Sequence, residues 1–254
     1  MSNSNKLALI TGASRGLGRS MALHLADAGI DVLGTYYSKE AEAREVVAEV
    51  EKRGARAAML QLDAGNASSF GDFAASVKQT LADTFGRTDF DHLVNNAGTG
   101  IHAPFTETTE DGFDLMVALH YKGPYFLTQA LLPLIADGGR ILNVSSGLTR
   151  FSFPGYSAYA AAKGAIETAT TYMALELAPR NITVNVIAPG AIETDFGGGA
   201  VRDNAELNQM IATNTALGRV GLPDDIGGAV AALLTDGLNW VTGQRIEASG
   251  GFGL

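Results

Sequence analysis

Short apolar runs alternate with helical periods along almost the whole chain, and this alternation limits the possible folds more than any other feature. Leu7–Thr11, Asp31–Tyr36, Arg56–Leu62, Asp91–Asn95, Arg140–Ser145, Thr183–Ala188 and Gln244–Glu247 read as strands. Gly16–Ala28, the charged amphipathic stretch Lys39–Arg53, Asp111–Ile135, Ser157–Leu177 and Pro223–Leu234 read as helices. Strands separated by helices predict an α/β fold, with a parallel sheet and right-handed crossovers. The 254 residues contain no Pro/Ser-rich linker, low-complexity segment or repeat, so residues 1–254 are expected to form one domain. Regularity weakens after Pro189, and the stretch near 191–215, with Gly197, Gly198 and Gly199, is expected to rise above the sheet as a mobile excursion.

Composition excludes several classes of function. The formal net charge of -9 and the lack of a Lys/Arg block argue against nucleic-acid binding. Without cysteine there is no disulfide framework, thiol nucleophile or thiolate metal site. Met1–Lys6 runs straight into a strand with no apolar signal region, and no apolar run nears the ~20 residues that span a bilayer. A cytoplasmic protein without membrane partners is expected.

Two motifs carry chemistry. Thr11–Gly18 follows the first strand and opens the first helix, with glycines at 12, 16 and 18 that allow a tight turn and close approach of a pyrophosphate. Read blandly, it is only a tight strand–helix connection. Tyr159 and Lys163 lie four residues apart and share a helix face. An ammonium roughly 4–5 Å from a phenol lowers its pKa by about two units at an effective dielectric near 20. A tyrosine so adjusted exchanges protons with a carbonyl or alcohol. The bland alternative is a surface helix pair.

Together these motifs resemble the short-chain dehydrogenase/reductase family, in the branch that includes ketoacyl reductases. The resemblance spans nearly the whole chain. It rests on Thr11–Gly18, Asp63 after the third strand, Asn95-Asn96-Ala97-Gly98 after the fourth, and Ser146 ahead of Tyr159 and Lys163. Pro189-Gly190 and Gly243-Gln244 complete it. It implies a Rossmann-like doubly wound parallel sheet of about seven strands with helices on both faces. It also implies that Tyr159 donates a proton to a carbonyl oxygen, that Ser146 hydrogen-bonds that oxygen, and that Lys163 binds the nicotinamide ribose and lowers the Tyr159 pKa. Gly12, Ser14, Arg15, Gly16, Leu17 and Gly18 would cradle the cofactor phosphates, with Tyr37 and Ser38 beside the adenosine. Asp63 would hold the adenine, and Asn95, Ala97 and Gly98 would border the adenosine ribose. Pro189, Gly190, Ile192 and Thr194 would hold the carboxamide. A homotetramer is implied, with Asp111–Ile135 and Ser157–Leu177 at its interfaces.

One position departs from the family pattern: His120 stands where an Asn is usual. Pro124, four residues on, has no N–H for the His120 carbonyl. Three readings stand: the carbonyl holds a relay water, the imidazole titrates within the relay, or the histidine is simply packed at a kink. His24, His92 and His102 show no metal-ligand spacing and read as surface or satisfied polar residues. No metal is expected.

The cofactor preference follows from the turn after the second strand. An acid there binds the ribose hydroxyls of NAD, whereas here Tyr36, Tyr37 and Ser38 occupy it. Arg15, with Ser14 and Ser38, suits a 2′-phosphate, against the alternative of a solvated arginine. NADP(H) and the reductive direction are expected. Leu148, Phe151, Phe153, Tyr156, Phe196, Val201, Met210 and Ile211 either line an apolar pocket or pack the loop and an interface, and Arg150 is a candidate contact for an anionic group. The expected function is NADPH-dependent reduction of a small-molecule ketone or aldehyde to an alcohol. The alternatives are a silent dinucleotide-binding sensor or scaffold, and a dehydratase or epimerase, which the short span after Pro189 disfavours.

Overall fold

The computed structural model describes residues 5–254, so Met1–Ser4 of the opening segment lie outside the described residues. In chain order the elements are β1 (Leu7–Ile10), α1 (Gly16–Asp27), β2 (Asp31–Tyr36), α2 (Glu40–Lys52), β3 (Ala57–Gln61), α3 (Phe70–Thr80) and β4 (Phe90–Asn95). Then follow α4 (Glu110–Val117), α5 (Gly123–Leu131), β5 (Ile135–Val144), α6 (Ser157–Leu177) and β6 (Thr183–Pro189). The chain ends with α7 (Ala200–Asp203), α8 (Ala205–Thr213), α9 (Pro223–Leu234) and β7 (Arg245–Ala248).

All seven strands run parallel in one sheet, in the order β3-β2-β1-β4-β5-β6-β7. Strand alternation divides the apolar residues between two cores. Ala8 and Ile10 face Met21 and Leu25 of α1, Val46 and Val50 of α2, and Ile226 and Val230 of α9. Leu7 and Leu9 point the other way, toward Phe70, Phe73 and Val77 of α3 and Leu127 and Leu131 of α5. Burying each such side chain stabilises the fold by about 1.5–3 kcal/mol, so one polar substitution in β1 disturbs a whole layer. The winding reverses between β1 and β4, and a doubly wound sheet forms its ligand crevice beyond the carboxyl ends of the strands at that reversal. Among the described residues, no helix is long and apolar enough to cross a membrane.

Three local features differ from the sequence reading. Helix α3 is not among the expected helices, although Phe70, Phe73 and Val77 carry a helical spacing. The single helix expected over Asp111–Ile135 is broken: α4 gives way to a π-helical turn at Ala118–Lys122 before α5 begins. Pro124 offers no N–H to the carbonyl four residues earlier, and the helix widens there. Strand β5 starts earlier than expected, at Ile135, with a register shift against β4 between Phe90 and His92.

Candidate active site

The loops after β1 and β4 are tied together at the crevice. The Thr11 hydroxyl oxygen accepts hydrogen bonds from the backbone N–H groups of Asn96 and Ala97, both at 2.9 Å. Asn96 Nδ2 donates to the carbonyls of Thr11 at 2.9 Å and Gly12 at 3.2 Å. A Cβ on Gly18 would collide with the Gly12 carbonyl, and one on Gly12, at φ +67°, would lie 3.0 Å from Ala97 Cα. Arg15 at the start of α1 makes no side-chain cap, and the first turn contains no acid. Uncapped N–H groups at the positive end of a twelve-residue helix suit a pyrophosphate. The residues here therefore fit a dinucleotide.

One expected contact is corrected. Asn95 is buried, and its Nδ2 donates to Thr128 Oγ1 at 3.0 Å and Asn143 Oδ1 at 2.8 Å. Strand alternation turns it into the sheet's core and hands the loop position to Asn96. The sequence reading missed Asn96, although the period of β4 carries the signal. Ser14 is buried, Leu17 packs on the core beneath the turn, and Thr194 lies over Gly16.

At the adenosine end no carboxylate follows β2. Tyr37 is exposed, Ser38 lies beside it, and Asp63 accepts a 3.0 Å bond from its own turn at Gly65. Arg15 Nη1 lies 3.7 Å from Asp195, an exposed pair that contributes little in water. Pro189 ends β6, the Gly190 N–H donates to Ala248, and Ile192 bridges to Gly221.

Ser146, Tyr159, Lys163 and His120 converge next to this crevice. Ser146 follows β5, and its Oγ accepts from the Leu148 N–H at 3.2 Å. Tyr159 and Lys163 stand one turn apart on α6, both buried, with Lys163 Nζ 5.6 Å from the phenol ring centre. The expected lowering of the Tyr159 pKa is not found. Burial pushes the phenol up to about 12, and a hydrogen bond with Ser146 only partly opposes this. The ammonium instead donates to the Val144 carbonyl at 2.6 Å, and burial pulls its pKa down to about 7, against the pull of Glu167.

His120 stands in the π-helical turn with its ring edge-on to Tyr159, the centres 4.9 Å apart. Its Nε2 is 2.6 Å from the Thr99 carbonyl. A carbonyl can only accept, so Nε2 carries the hydrogen and Nδ1 holds a lone pair, buried and unpartnered. Burial and then the Lys163 charge hold its pKa down at about 3, opposed by the Thr99 bond. This environment favours a neutral, packed imidazole over one that titrates within a relay. A Cβ at Gly98 would sit 2.7 Å from the His120 ring, so that glycine seats the imidazole. His92 also departs from expectation. It is buried on β4 with neither ring nitrogen partnered, and burial lowers its pKa to about 4.

The aromatic residues divide into two groups. Phe151 and Phe153 pack on Phe252 in a small core with Val201 and Ile211. Leu148 and Tyr156 surround Tyr159 with Ile101 and Met116, and Phe196 lies across the phenol. Met210 is partly exposed on α8. Arg150 is not free for an anionic ligand: Nε and Nη2 each donate to Glu247 at 2.7 Å, and Nη2 also reaches the Phe252 carbonyl.

Comparison with known proteins agrees with this geometry. The family model described as enoyl-(acyl carrier protein) reductase matches residues 12–253. The promiscuous reductase LugOII, which catalyses keto-reduction at C1 during lugdunomycin biosynthesis, superposes with a TM-score of 0.93 at 41% identity, covering 100% of both chains. The angucycline C-6 ketoreductase LanV, solved with bound NADP, gives 0.92 at 38% identity over 98% of this chain and 96% of that one. The short-chain dehydrogenase/reductase FrzI of Cladobotryum is 34% identical, over 97% of this chain and 95% of its own. With a family model spanning nearly the whole chain and relatives of this similarity, the protein belongs to the short-chain dehydrogenase/reductase family of oxidoreductases.

Proposed function

We propose that the protein is an NADPH-dependent ketoreductase that converts an apolar ketone to an alcohol, with Tyr159 as the proton donor. The observation that carries this reading is the shared burial of Tyr159 and Lys163, at 6% and 5% exposure, behind Ser146 and beside a dinucleotide-type crevice. The ketoreductase relatives support it, as do Arg15 and the missing acid after β2.

When bound, NADPH supplies a hydride to the carbonyl carbon. The chain's own residues manage the oxygen and its proton. The Leu148 N–H holds Ser146 Oγ in place, and the hydroxyl hydrogen that Ser146 shares with Tyr159 would turn to a substrate oxygen. Tyr159, with its pKa raised, holds its proton at neutral pH and is loaded for donation in the reductive direction. Lys163, titrating near 7, is matched to return a proton to the phenol. His120, held by the Thr99 carbonyl through Nε2 and set edge-on to Tyr159, fixes one wall of the site. The exposed apolar residues Phe113 and Leu115 on α4, Phe126 on α5, and Tyr172 and Leu175 on α6 favour assembly as a homotetramer.

The test is oxidation of NADPH and NADH with a ketone panel that includes angucycline ketones, with the product identified as the alcohol. Turnover preferring NADPH supports the proposal. Tight NADPH binding without turnover across the panel would contradict it and favour a sensor.

A further inference from the structure

We infer that the Glu167–Arg245 ion pair is a positioning device that sets the proton affinity of Lys163 and fixes the turn bearing Ser146. The inference rests on the reading of Lys163 and Ser146 as working groups. Glu167 lies one helical turn beyond Lys163 on α6, on the same face. One of its oxygens, Oε1, gathers three donors from three segments. Ser145 Oγ donates at 2.6 Å, Thr149 Oγ1 lies at 2.8 Å, and Arg245 Nε of β7 donates at 2.9 Å. Arg245 also reaches the site, since its Nη2 lies 3.3 Å from the Ser146 carbonyl and 3.1 Å from Thr149 Oγ1. The carboxylate under the proton-handling lysine and the guanidinium that steadies the serine turn are thus partners in one bond.

The pair belongs to a chain of alternating charges. Arg245 Nη1 donates to Glu247 at 3.0 Å, and Glu247 takes the Arg150 fork and the Ser249 hydroxyl. Glu167 and Arg245 are 19% and 26% exposed, so water screens them only partly. The charged and titratable groups facing Lys163 are Tyr159 and Glu167 from α6 and His120 from the π-helical turn; Arg245 and Glu247 of β7 and Arg150 stand behind Glu167. His120 is neutral, and Tyr159 is protonated. That leaves the Glu167 carboxylate as the anion that favours the ammonium, with Arg245 damping its field. Removing either partner therefore changes the Lys163 midpoint in opposite directions, which a purely structural role would not do.

The test is the Lys163 titration in cofactor-free protein, followed by NMR of isotope-labelled lysine and assigned by loss of its signal in Lys163→Arg. Glu167→Gln keeps the shape and an accepting oxygen, and is expected to move the midpoint about one unit toward acid. Arg245→Gln is expected to move it toward base, and the double variant to return it near the native value. Arg245→Lys keeps the charge but loses the fork, so it should hold the midpoint while lowering kcat with little change in KM. An unmoved midpoint in folded Glu167→Gln, or shifts of the same sign in both single variants, would overturn the inference. Because this readout needs neither substrate nor cofactor, a failed ketone panel would count against the proposed reaction and not against the pair.

Discussion

The Phe196 ring lies across Tyr159, with centres 5.7 Å apart and planes inclined by 58°, and it stands against Gly100 so closely that a Cβ there would be 2.7 Å from the ring edge. Phe196 is also the last residue before three consecutive glycines in left-handed backbone, at φ +61°, +75° and +80°. The aromatic cover of the site is thus attached through a turn with little steric restraint.

Phe196→Ala removes an aromatic face worth about 1–2 kcal/mol to an apolar ligand, roughly a five- to thirtyfold change in binding. The expected result is a KM rise of that size for large apolar ketones and little change for small ones. Gly100→Ala should produce part of this loss by displacing the ring, and should add little in the Phe196→Ala background. Steady-state kinetics on the two single variants and the double variant check both expectations.

Arg15 is the only basic residue in the glycine-rich turn. Arg15→Ala is expected to raise KM for NADPH roughly tenfold or more and leave NADH almost unchanged, because a charge-assisted bond to the 2′-phosphate is lost. The ratio of kcat/KM values for the two cofactors measures it.

Acid sensitivity should come from His92. Its folded pKa of about 4 lies below the usual 6.5, so the unfolded chain binds the proton first as pH falls. Stability is therefore lost progressively between pH 6.5 and about 4, on the order of 3 kcal/mol from this residue. Urea midpoints measured at several pH values should fall across that window in the native protein and fall less in His92→Leu. His120 adds a loss of the same sign, extending to about pH 3.

Lys163 should extend the same dependence to higher pH. With a folded pKa of about 7 against an ordinary 10.5, the unfolded chain holds a proton that the folded chain lacks between those values. Stability contributed by this group rises with pH across that window. Lys163→Met should stabilise the fold by about 1–3 kcal/mol at pH 7, flatten that rise and abolish turnover. Denaturation and rate measurements on one preparation check all three outcomes.

Much of the fold is legible in the sequence because each strand is a compact apolar run and the crossovers carry helical periods. The crevice is legible for a similar reason: Gly12 and Gly18 mark where backbones must touch. What escapes is set by direction and environment. Asn95 and Asn96 are chemically identical, and only the strand period decides which one faces the loop. Arg150 looks available until the fold brings Glu247 beside it, 97 positions away. The adjustment expected of Tyr159 depends on where the Lys163 ammonium points, and it points to a β5 carbonyl. Phe196 is legible as an apolar pocket candidate, but its place over Tyr159 depends on packing partners distant in the chain.

The most direct test of the central claim is single-turnover reduction of an accepted ketone by Tyr159→Phe with NADPH binding verified by fluorescence. Removing the proton donor is expected to slow the step by roughly 10²–10⁴-fold while cofactor affinity stays within about twofold of native. Near-native turnover in Tyr159→Phe would contradict the assignment of Tyr159 as the proton donor.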